Sequence, residues 1–369
     1  MLLNSLEVEH FRNLTSARLE LCSGFNLLEG PNGAGKTTLL EAIHLLARGR
    51  SFRSSKISNL VQRNERFLRV RADVTGEDDR KHSLAIEKRT GGYTALRRDG
   101  RDVKSAAELA SHLPVQLLLP NVADLIFSGP SDRREFLDWG VFHVKQDYVR
   151  LAREYRKVLR QRNAWLRRDQ LRPDEQDPWL MMITEAGQRI GAMREDYLAK
   201  LAPVFLEILG LLDPSLECML EYQAGGYAKN IAETRKKMAE IKLRDVKSGS
   251  TQIGPHRADM VIHLAQASAQ ETASRGQGKT IGSAAALAQS ALLGRLTGRP
   301  SVVLIDDFGA ELDGAHRARL LQALMAIGCQ VVATSTEPLT GVLGQLSKDH
   351  LRVFHVEHGS VRVTPGGGA

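Results

Sequence analysis

Short apolar runs and runs of alternating apolar and polar residues lie towards both ends of the chain, and they predict β-strands. The run at 25–28 is apolar throughout and bounded by Gly24 and Gly30, which indicates a buried strand. Thr90-Gly91-Gly92 predicts a hairpin turn between two of the strands. The predicted strands are 6–8, 19–21, 25–28, 67–74, 82–88, 93–98, 260–264, 301–305 and 330–333.

Helical spacing of apolar residues marks most of the remaining sequence. Aliphatic residues between positions 37 and 47 repeat at this spacing directly after a predicted strand. From Pro130 to about residue 168 the pattern is helical with few breaks, and Asp132 with Glu135 resembles a capping box. Further helices are predicted at about 179–212, 229–247, 280–296 and 317–327. A long helical region therefore separates two segments that contain strands.

The composition is that of a globular chain with a basic excess. Its 369 residues, 42% hydrophobic and 25% charged, suffice for one large or two ordinary domains. A formal net charge of +8 favours polyanionic partners such as nucleic acid, although a solvated basic surface would carry the same charge. Cys22, Cys218 and Cys329 are isolated, which fits a reducing cytosol. Long apolar runs are absent, so we expect a cytoplasmic protein with no membrane span.

A phosphate-binding loop follows the strand predicted at 25–28. Residues 30–37 read G-P-N-G-A-G-K-T and match the full G-x-x-x-x-G-K-[ST] motif between a strand and a helix, where a glycine turn that only caps a helix is the alternative. The backbone N–H groups and the helix N-terminus would bind phosphates. We expect Lys36 to contact the β- and γ-phosphates of ATP and Thr37 to ligate Mg²⁺. The nucleotide-binding candidates in this region are Arg12, Gly30, Pro31, Asn32, Gly33, Ala34, Gly35, Lys36, Thr37 and Thr38.

A pair of carboxylates follows the apolar run at 301–305. We assign Asp306 to Mg²⁺ and Asp307 to activation of the attacking water; a simple acidic turn is the alternative. Lys36 and Asp306 are 306 − 36 = 270 positions apart, more than a compact P-loop fold needs. The sheet is therefore predicted to be split, with a second module inserted between its halves.

A turn of sequence Ser274-Arg275-Gly276-Gln277 precedes the helix predicted at 280–296. Such residues at a helix N-terminus form an anion-binding corner, although a simple helix cap is the alternative. The order of motifs is more informative: a phosphate loop, an insertion, this turn, an acidic strand and then E-L-D at 311–313. That order resembles the ABC-type ATPase heads of the structural-maintenance-of-chromosomes (SMC) and Rad50 proteins.

Within that superfamily the chain resembles the RecF family of bacterial recombination and repair ATPases. The matching segments are H-F-R-N at 10–13, L-E-A-I at 40–43, G-R-S-F-R at 49–53, G-P at 129–130, R-R-E-F-L-D at 133–138, G-P-H-R at 254–257, D-D at 306–307 and E-L-D at 311–313. The resemblance implies an α/β P-loop ATPase head without a long coiled coil. Its ATP-binding lobe I would comprise 1–125 and 295–369, and an inserted, mainly helical lobe II would comprise 126–294 and carry the signature turn.

The resemblance also implies an ATP-driven homodimer. Ser274 and Gly276 of one subunit, with Gln277 beside them, would contact the γ-phosphate bound at Lys36 of the other. ATP would then join the two subunits, Asp313 would lie near the seam, and slow hydrolysis would release them. The catalytic candidates are Lys36, Ser274, Asp306 and Asp307.

DNA is the partner that the resemblance and the charge both favour. Members of the family act at single-strand gaps and stalled forks, with the RecR and RecO mediators that help to load RecA. Residues 133–172 contain 12 Lys or Arg against 5 Asp or Glu, which predicts salt-dependent binding with little sequence preference. Arg97, Arg98 and Arg101 form a second basic cluster. Solvated helix faces without a partner are the alternative.

Several positions depart from the family pattern and leave the hydrolysis rate open. Ala258-Asp259 replaces an acidic pair, Ala310 stands where serine is common, and Ser335 stands where transporter ATPases carry a histidine. Asn121 is the best candidate for the glutamine-loop position. His355 and His358 have metal-ligand spacing but are better explained as surface residues, and Tyr148 and Tyr155 as core residues.

Three rival functions are open at this point. The first is the ATPase subunit of a membrane transporter, against which the basic helical insertion and Ser335 argue. The second is a Rad50-like tether, which would need long heptads and a Cys-x-x-Cys hook. The third is an ATP-binding scaffold with negligible turnover.

Overall fold

The computed structural model describes residues 2–76, 79–168, 175–298, 300–308, 314–339, 343–344 and 346–363. The chain divides into two compact units. Unit 1 comprises Met1–Ala123, Glu207–Pro214 and Lys279–Ala369, and unit 2 comprises Asp124–Leu206 and Ser215–Gly278.

Strands and helices alternate along both units. The strands are β1 (Leu2–Phe11), β2 (Leu14–Glu20), β3 (Phe25–Glu29), β4 (Phe67–Thr75), β5 (Lys81–Arg89), β6 (Thr94–Arg98), β7 (Arg101–Asp102), β8 (Val115–Leu118), β9 (Cys218–Gln223), β10 (Asp259–Leu264), β11 (Ala267–Ser268), β12 (Val302–Ile305), β13 (Val331–Ser335), β14 (Leu351–Glu357) and β15 (Ser360–Val363). The helices are α1 (Lys36–Arg48), α2 (Ala106–His112), α3 (Asp124–Phe127), α4 (Pro130–Val144), α5 (Tyr148–Leu166), α6 (Leu180–Leu212), α7 (Ile231–Glu240), α8 (Lys242–Ser248), α9 (Ala269–Thr272), α10 (Arg275–Thr297) and α11 (Gly314–Ile327).

Unit 1 contains two sheets with different residue patterns. The first has the order β2-β1-β4-β5-β6-β7 and is antiparallel; along β4 the buried Leu68, Val70, Ala72 and Val74 alternate with more exposed residues. The second has the order β15-β14-β3-β13-β12-β8, and its strands are parallel except for β15. Its central strands are buried on both faces, which is why they read as continuous apolar runs.

Helix α1 contacts strands of both sheets of unit 1, namely β1, β4 and β5 of one and β8 and β13 of the other. Nearly every residue of the helix is buried as a result, and its leucines and Ile43 belong to the main apolar core. Polar residues on α1 therefore need partners inside the protein. Lys36, Thr38 and Glu41 have such partners in the candidate site.

Helix α10 begins in unit 2 and belongs to unit 1 from Lys279 onwards. The Gln116 amide on β8 donates to Gln289 over 2.8 Å, and most of the helix from Ile281 to Leu293 is buried. Because of these contacts with the sheet of unit 1, the chain returns from unit 2 to unit 1 before most of α10. The boundary expected from the sequence lies later, after residue 294. The expected first boundary lies after residue 125, and the first segment of unit 1 ends at residue 123 in the structure.

Unit 2 combines α4, α5 and most of α6 with the three-stranded sheet β11-β10-β9. The helical region expected from Pro130 to about residue 168 consists of two helices, because Lys145 is extended and ends α4 before α5 begins at Tyr148. The expected capping box at Asp132 is also wrong: α4 starts at Pro130, with Gly129 as N-cap and no side-chain cap. Strands β8 and β9 and helix α2 were not predicted, and each is short.

Among the residues that the structure describes, no helix is both long enough and apolar enough to cross a membrane.

Candidate nucleotide-binding site

The loop at 30–37 connects β3 to α1, in the strand–loop–helix context expected from the sequence. Gly30 has φ 154°, and a Cβ there would lie 2.1 Å from the Val356 carbonyl oxygen of β14. Gly35, the N-cap of α1, has φ 115°, and a Cβ there would lie 2.9 Å from the Leu14 side chain. Both positions require glycine, so the tight wrap of this loop is built into the sequence.

The Lys36 ammonium lies over the loop. Its Nζ donates to the carbonyl oxygens of Gly30 over 2.6 Å and of Pro31 over 2.9 Å. Burial lowers the pKa of Lys36, and the nearby carboxylates of Asp307 and Asp306 partly oppose that shift. A cation is thus held in a partly buried loop and faces two acidic groups, the environment in which a triphosphate and a divalent metal ion would balance charge.

Asn13 clamps the loop from the side, a role that the sequence analysis did not assign. Its amide donates to the Gly33 carbonyl over 3.1 Å and accepts from the Thr38 hydroxyl over 3.0 Å. Gly359, in the turn after β14, donates its N–H to the Ala34 carbonyl over 3.0 Å. Thr38 is buried by this clamp; its assignment to nucleotide binding stays a prediction.

Asp306 follows β12 and accepts two hydroxyl hydrogen bonds on one carboxylate oxygen. Thr37 Oγ1 and Thr334 Oγ1 each donate to Asp306 Oδ1 over 2.8 Å. The Thr334 hydroxyl also accepts from the Asp307 N–H over 2.7 Å. Thr334 was missed by the sequence analysis, yet β13 is a parallel neighbour of β12 and ends at the same edge of the sheet.

Asp307 has a strained backbone and an unfavourable electrostatic position. Its φ is 58°, in the left-handed region that few non-glycine residues adopt. Burial and the neighbouring Asp306 raise the pKa of Asp307, Lys36 opposes the rise, and Glu337 adds to it. Strain and a shifted pKa on one residue are typical of a functional group rather than of an acidic surface turn.

Arg12 directs its guanidinium to α1. Its Nε and Nη2 donate to the two oxygens of the fully buried Glu41 over 2.5 and 2.7 Å. Ser51 also donates to Glu41, and Arg53 lies 3.7 Å from it. In this structure Arg12 therefore neutralises a buried carboxylate, and its assignment to nucleotide binding stays a prediction.

The signature turn lies in unit 2 at the start of α10. The Ser274 N–H donates to Gln277 Oε1 over 2.9 Å, and Gln277 N–H donates to Ser274 Oγ over 3.2 Å. This reciprocal pair of hydrogen bonds is a helix cap, which is the alternative to an anion-binding corner that the sequence left open. Ser274 and Gly276 are nevertheless exposed, so the cap presents them at the surface of the unit.

Other sequence candidates have simple structural explanations. Ser335 is buried, and its hydroxyl donates to the Glu337 carbonyl over 2.6 Å, so it closes a local turn. Asn121 is exposed in the turn after β8. His355 is half exposed beside Glu357, and no group of three potential metal ligands occurs among the described residues. Ala310, Glu311 and Asp313 lie outside the described residues.

The basic residues of unit 2 separate into buried and exposed groups. Arg133 and Arg162 are buried and paired with aspartates, so they cannot reach DNA. Tyr148 and Tyr155 are buried, as expected for core residues. The exposed basic residues along α5 are Arg150, Arg153, Arg156, Lys157 and Arg160.

In unit 1 the basic cluster near the β6–β7 turn is already paired in part. Arg97 donates to Asp102 over 3.0 Å. Arg98 lies 2.9 Å from a ring nitrogen of His112 and 3.5 Å from Glu108. Arg101 is exposed. These pairings make the cluster a weaker candidate for DNA than α5.

Comparisons with known proteins point in one direction. Residues 2–361 match the family model described as the RecF/RecN/SMC N-terminal domain. The chain is 39% identical over 364 residues to the DNA replication and repair protein RecF of Pseudomonas paraeruginosa strain PA7, covering 99% of this chain and 98% of that one.

Two solved structures show the same architecture. The recombination mediator protein RecF with ATP, in the RecFOR pathway, superposes with a TM-score of 0.86 at 29% identity and covers 98% of this chain and 97% of that one. An SMC head domain from Pyrococcus furiosus, bound to the C-terminal domain of ScpA, gives a TM-score of 0.58 at 16% identity over 98% of this chain and 95% of that one. The second similarity concerns the fold alone.

Proposed function

The chain belongs to the RecF family of DNA replication and repair proteins, within the RecF/RecN/SMC N-terminal domain family, and from this membership we propose that it is a slow, DNA-stimulated ATPase that closes on DNA as an ATP-driven dimer. The hydrogen bond from Thr37 to Asp306 is the observation that supports the catalytic part of the proposal. It joins the phosphate loop to the residue after β12, and these are the two parts that a P-loop active site requires.

The loop fits a triphosphate. Gly30 and Gly35 keep the backbone free of side chains, and the N-terminus of α1 supplies N–H groups and a partial positive charge. Lys36 can move its ammonium from the Gly30 and Pro31 carbonyls to the β- and γ-phosphates of ATP. Asn13 keeps the loop in shape from outside.

The site also fits Mg²⁺. Thr37 and Asp306 offer a hydroxyl and a carboxylate oxygen 2.8 Å apart, which are the hard oxygen ligands that this ion prefers. When bound, Mg²⁺ would neutralise charge that develops on the phosphate oxygens. Thr334 holds the Asp306 carboxylate in orientation by its hydroxyl.

Asp307 is the proposed general base. Its raised pKa makes its carboxylate a better proton acceptor than that of an ordinary aspartate. The hydrogen bond from its own N–H to Thr334 and the strained φ fix its backbone. Asp307 would orient a water molecule and take its proton as the γ-phosphate bond breaks.

The second subunit would complete the site. Ser274 and Gly276 are exposed at the N-terminus of α10, so they are available to contact a γ-phosphate held at Lys36 of the partner. A γ-phosphate bound from two chains favours the closed dimer only while it is intact. Hydrolysis would then open the dimer.

DNA would bind through the exposed basic residues of α5, mainly by its phosphates and with little sequence preference. We further propose that the chain acts at single-strand gaps together with RecR and RecO, and through them promotes loading of RecA. Its relatives are repair proteins, so the transporter alternative has no support from them.

Sedimentation velocity tests this proposal. The chain is compared with and without ATP, in the presence of a gapped duplex, alongside Lys36→Ala and the exposed control Lys104→Ala. We expect ATP to convert the wild type and Lys104→Ala to dimers and to leave Lys36→Ala monomeric. Wild-type molecules that stay monomeric with saturating ATP and DNA would contradict the dimer.

A further inference from the structure

Arginines outnumber aspartates around the turn at 254–257 of unit 2. This turn is a sequence motif that has no role in the ATPase site. Four arginines and two aspartates influence one another here: Arg133 and Arg134 on α4, Arg194 on α6, Arg257 on the turn, Asp138 on α4 and Asp259 on β10.

Each aspartate is already paired with one arginine. Asp259 accepts from Arg133 through both carboxylate oxygens, over 2.8 and 2.9 Å. Asp138 accepts from Arg194 over 2.8 Å and from the Tyr148 hydroxyl. Two positive charges of the cluster are therefore balanced inside the protein.

Arg134 and Arg257 carry the other two charges. Arg134 Nη1 donates to the neutral Ala258 carbonyl over 2.8 Å. Burial lowers the pKa of Arg134, the positive charges of Arg194 and Arg257 add to the decrease, and the carboxylates of Asp259 and Asp138 oppose it. The Arg257 side chain is exposed and, among the described residues, forms neither an ion pair nor a hydrogen bond. Four positive charges thus share two carboxylates, and repulsion among the arginines costs free energy in the isolated chain.

The turn that holds Arg257 is fixed from several sides. Arg257 N–H donates to the Gly254 carbonyl over 2.8 Å, and Arg194 Nη1 donates to the Pro255 carbonyl over 2.6 Å. The His256 ring lies between the Tyr155 hydroxyl at 2.7 Å and the Thr251 carbonyl at 2.9 Å. The backbone of Arg257 is therefore positioned before any ligand arrives, so that only the side chain has to be ordered on binding.

We propose that Arg134 and Arg257 form a phosphate-binding pair that holds the sugar–phosphate backbone of DNA. The guanidinium fork matches a phosphate with two parallel hydrogen bonds, and a bound phosphate would remove the repulsion within the cluster. Tyr155, which fixes the turn, belongs to α5, the helix whose exposed face carries Arg153, Lys157 and Arg160. DNA presents phosphates all along its backbone, whereas a free nucleotide presents them at one position, so we assign the pair to DNA; this assignment rests on the proposed function.

The test is duplex binding followed by fluorescence anisotropy over a series of salt concentrations. The variants are Arg257→Gln, Arg257→Lys and the control Arg18→Gln, which removes the same charge from an exposed arginine paired with Glu7 and Glu20. For Arg257→Gln we expect affinity about 10-fold weaker, from the loss of a charged hydrogen bond. The slope of log K against log salt should decrease by about 0.9, one phosphate contact. Arg257→Lys should keep the slope, and Arg18→Gln should match the wild type.

Arg134→Gln serves as the second variant and should act in the same direction, with thermal unfolding measured to verify that it is folded. An unchanged salt slope in Arg257→Gln would overturn the inference. So would a weaker affinity of that variant for a fluorescent ATP analogue together with unchanged DNA binding, since the pair would then serve a nucleotide. A wild-type chain that binds no DNA would instead refute the proposed function itself, and this inference with it.

Discussion

The Thr37 hydroxyl donates to Asp306 Oδ1 over 2.8 Å and so joins two residues 269 positions apart in the sequence. Thr37 lies in the first turn of α1, directly after the loop that follows β3, and Asp306 follows β12. Strands β3, β13 and β12 are parallel neighbours in one sheet, so their carboxyl ends meet at one edge. The inserted unit 2 interrupts the sequence of this sheet without separating its strands.

Asp306→Asn should weaken ATP binding only when Mg²⁺ is present. The substitution keeps the size of the side chain and removes the charge that the metal ion requires, so we expect Mg²⁺-dependent affinity to fall about 10- to 100-fold. Isothermal titration of ATP with and without Mg²⁺ measures this. The exposed Asp349→Asn is the matched control. Equal losses in both metal conditions would show that Asp306 acts on the fold rather than on the metal ion.

Asp307→Asn should leave ATP affinity unchanged and reduce single-turnover hydrolysis by about 10²- to 10⁴-fold, because a general base is lost. The wild-type rate should also depend on pH. Since the pKa of Asp307 is raised, the rate should begin to fall at a higher pH than an ordinary aspartate would cause as the solution is acidified. Rates measured by quenched flow across pH test both points. A variant as fast as the wild type would assign the base to another residue and leave Asp307 with a structural role.

The same substitution should raise the melting temperature. When the pKa of a carboxyl is higher in the folded state than in the unfolded state, the protein loses stability as pH rises through the interval between the two values, so Asp307 destabilises the fold above that interval. Asparagine has no charge and tolerates the left-handed φ of 58° better. We expect a gain of about 2 °C at pH 7, which shrinks in acid where the aspartate is protonated. Calorimetry measures it, and a lower melting temperature at pH 7 would contradict the argument.

Arg160 and Arg162 lie two residues apart on α5, yet their substitution should have different effects, on DNA binding for Arg160 and on stability for Arg162. Arg162 is fully buried and pairs with Asp177 and Asp245, both at 2.7 Å. Arg162→Ala would leave buried carboxylates unpaired and cost about 3–5 kcal/mol of unfolding free energy. Arg160 is exposed, so Arg160→Ala should cost less than about 0.5 kcal/mol and weaken DNA binding instead. Urea denaturation and anisotropy on both variants give the comparison, and equal stability losses would contradict it.

The sequence predicted most of what surrounds the phosphate loop. The helix expected at 37–47 is α1 (Lys36–Arg48), and the apolar runs at 25–28, 301–305 and 330–333 are strands of one parallel sheet. Such strands are buried on both faces and therefore leave continuous apolar runs in the sequence. The resemblance to the RecF family and the α/β ATPase-head fold are both confirmed.

Residues that act through tertiary contacts could not be predicted in the same way. Asn13 reaches the loop from the turn after β1, and Thr334 reaches Asp306 from a neighbouring strand, so neither contact leaves a local pattern. The charge count over 133–172 could not distinguish exposed from buried residues either, because it included the buried Arg133 and Arg162. Periodicity identifies elements, whereas a pair of side chains from distant positions is visible only once the strand order is known.

Ser274→Arg should abolish ATP-driven dimerisation and spare nucleotide binding. Ser274 is exposed at the N-terminus of α10, where an arginine would fill the space that a partner's γ-phosphate needs. Lys36 and its loop lie in unit 1 and are unaltered, so a single chain should bind ATP with wild-type affinity. Ser274→Arg also removes the cap from Gln277 N–H, at a cost of about 1 kcal/mol, so the control is Ser274→Ala, which loses the same hydroxyl but adds no bulk or charge. Sedimentation velocity with ATP and a gapped duplex should show monomers for Ser274→Arg and at least partial dimers for Ser274→Ala. Dimers of Ser274→Arg would mean that this turn does not face the partner's nucleotide.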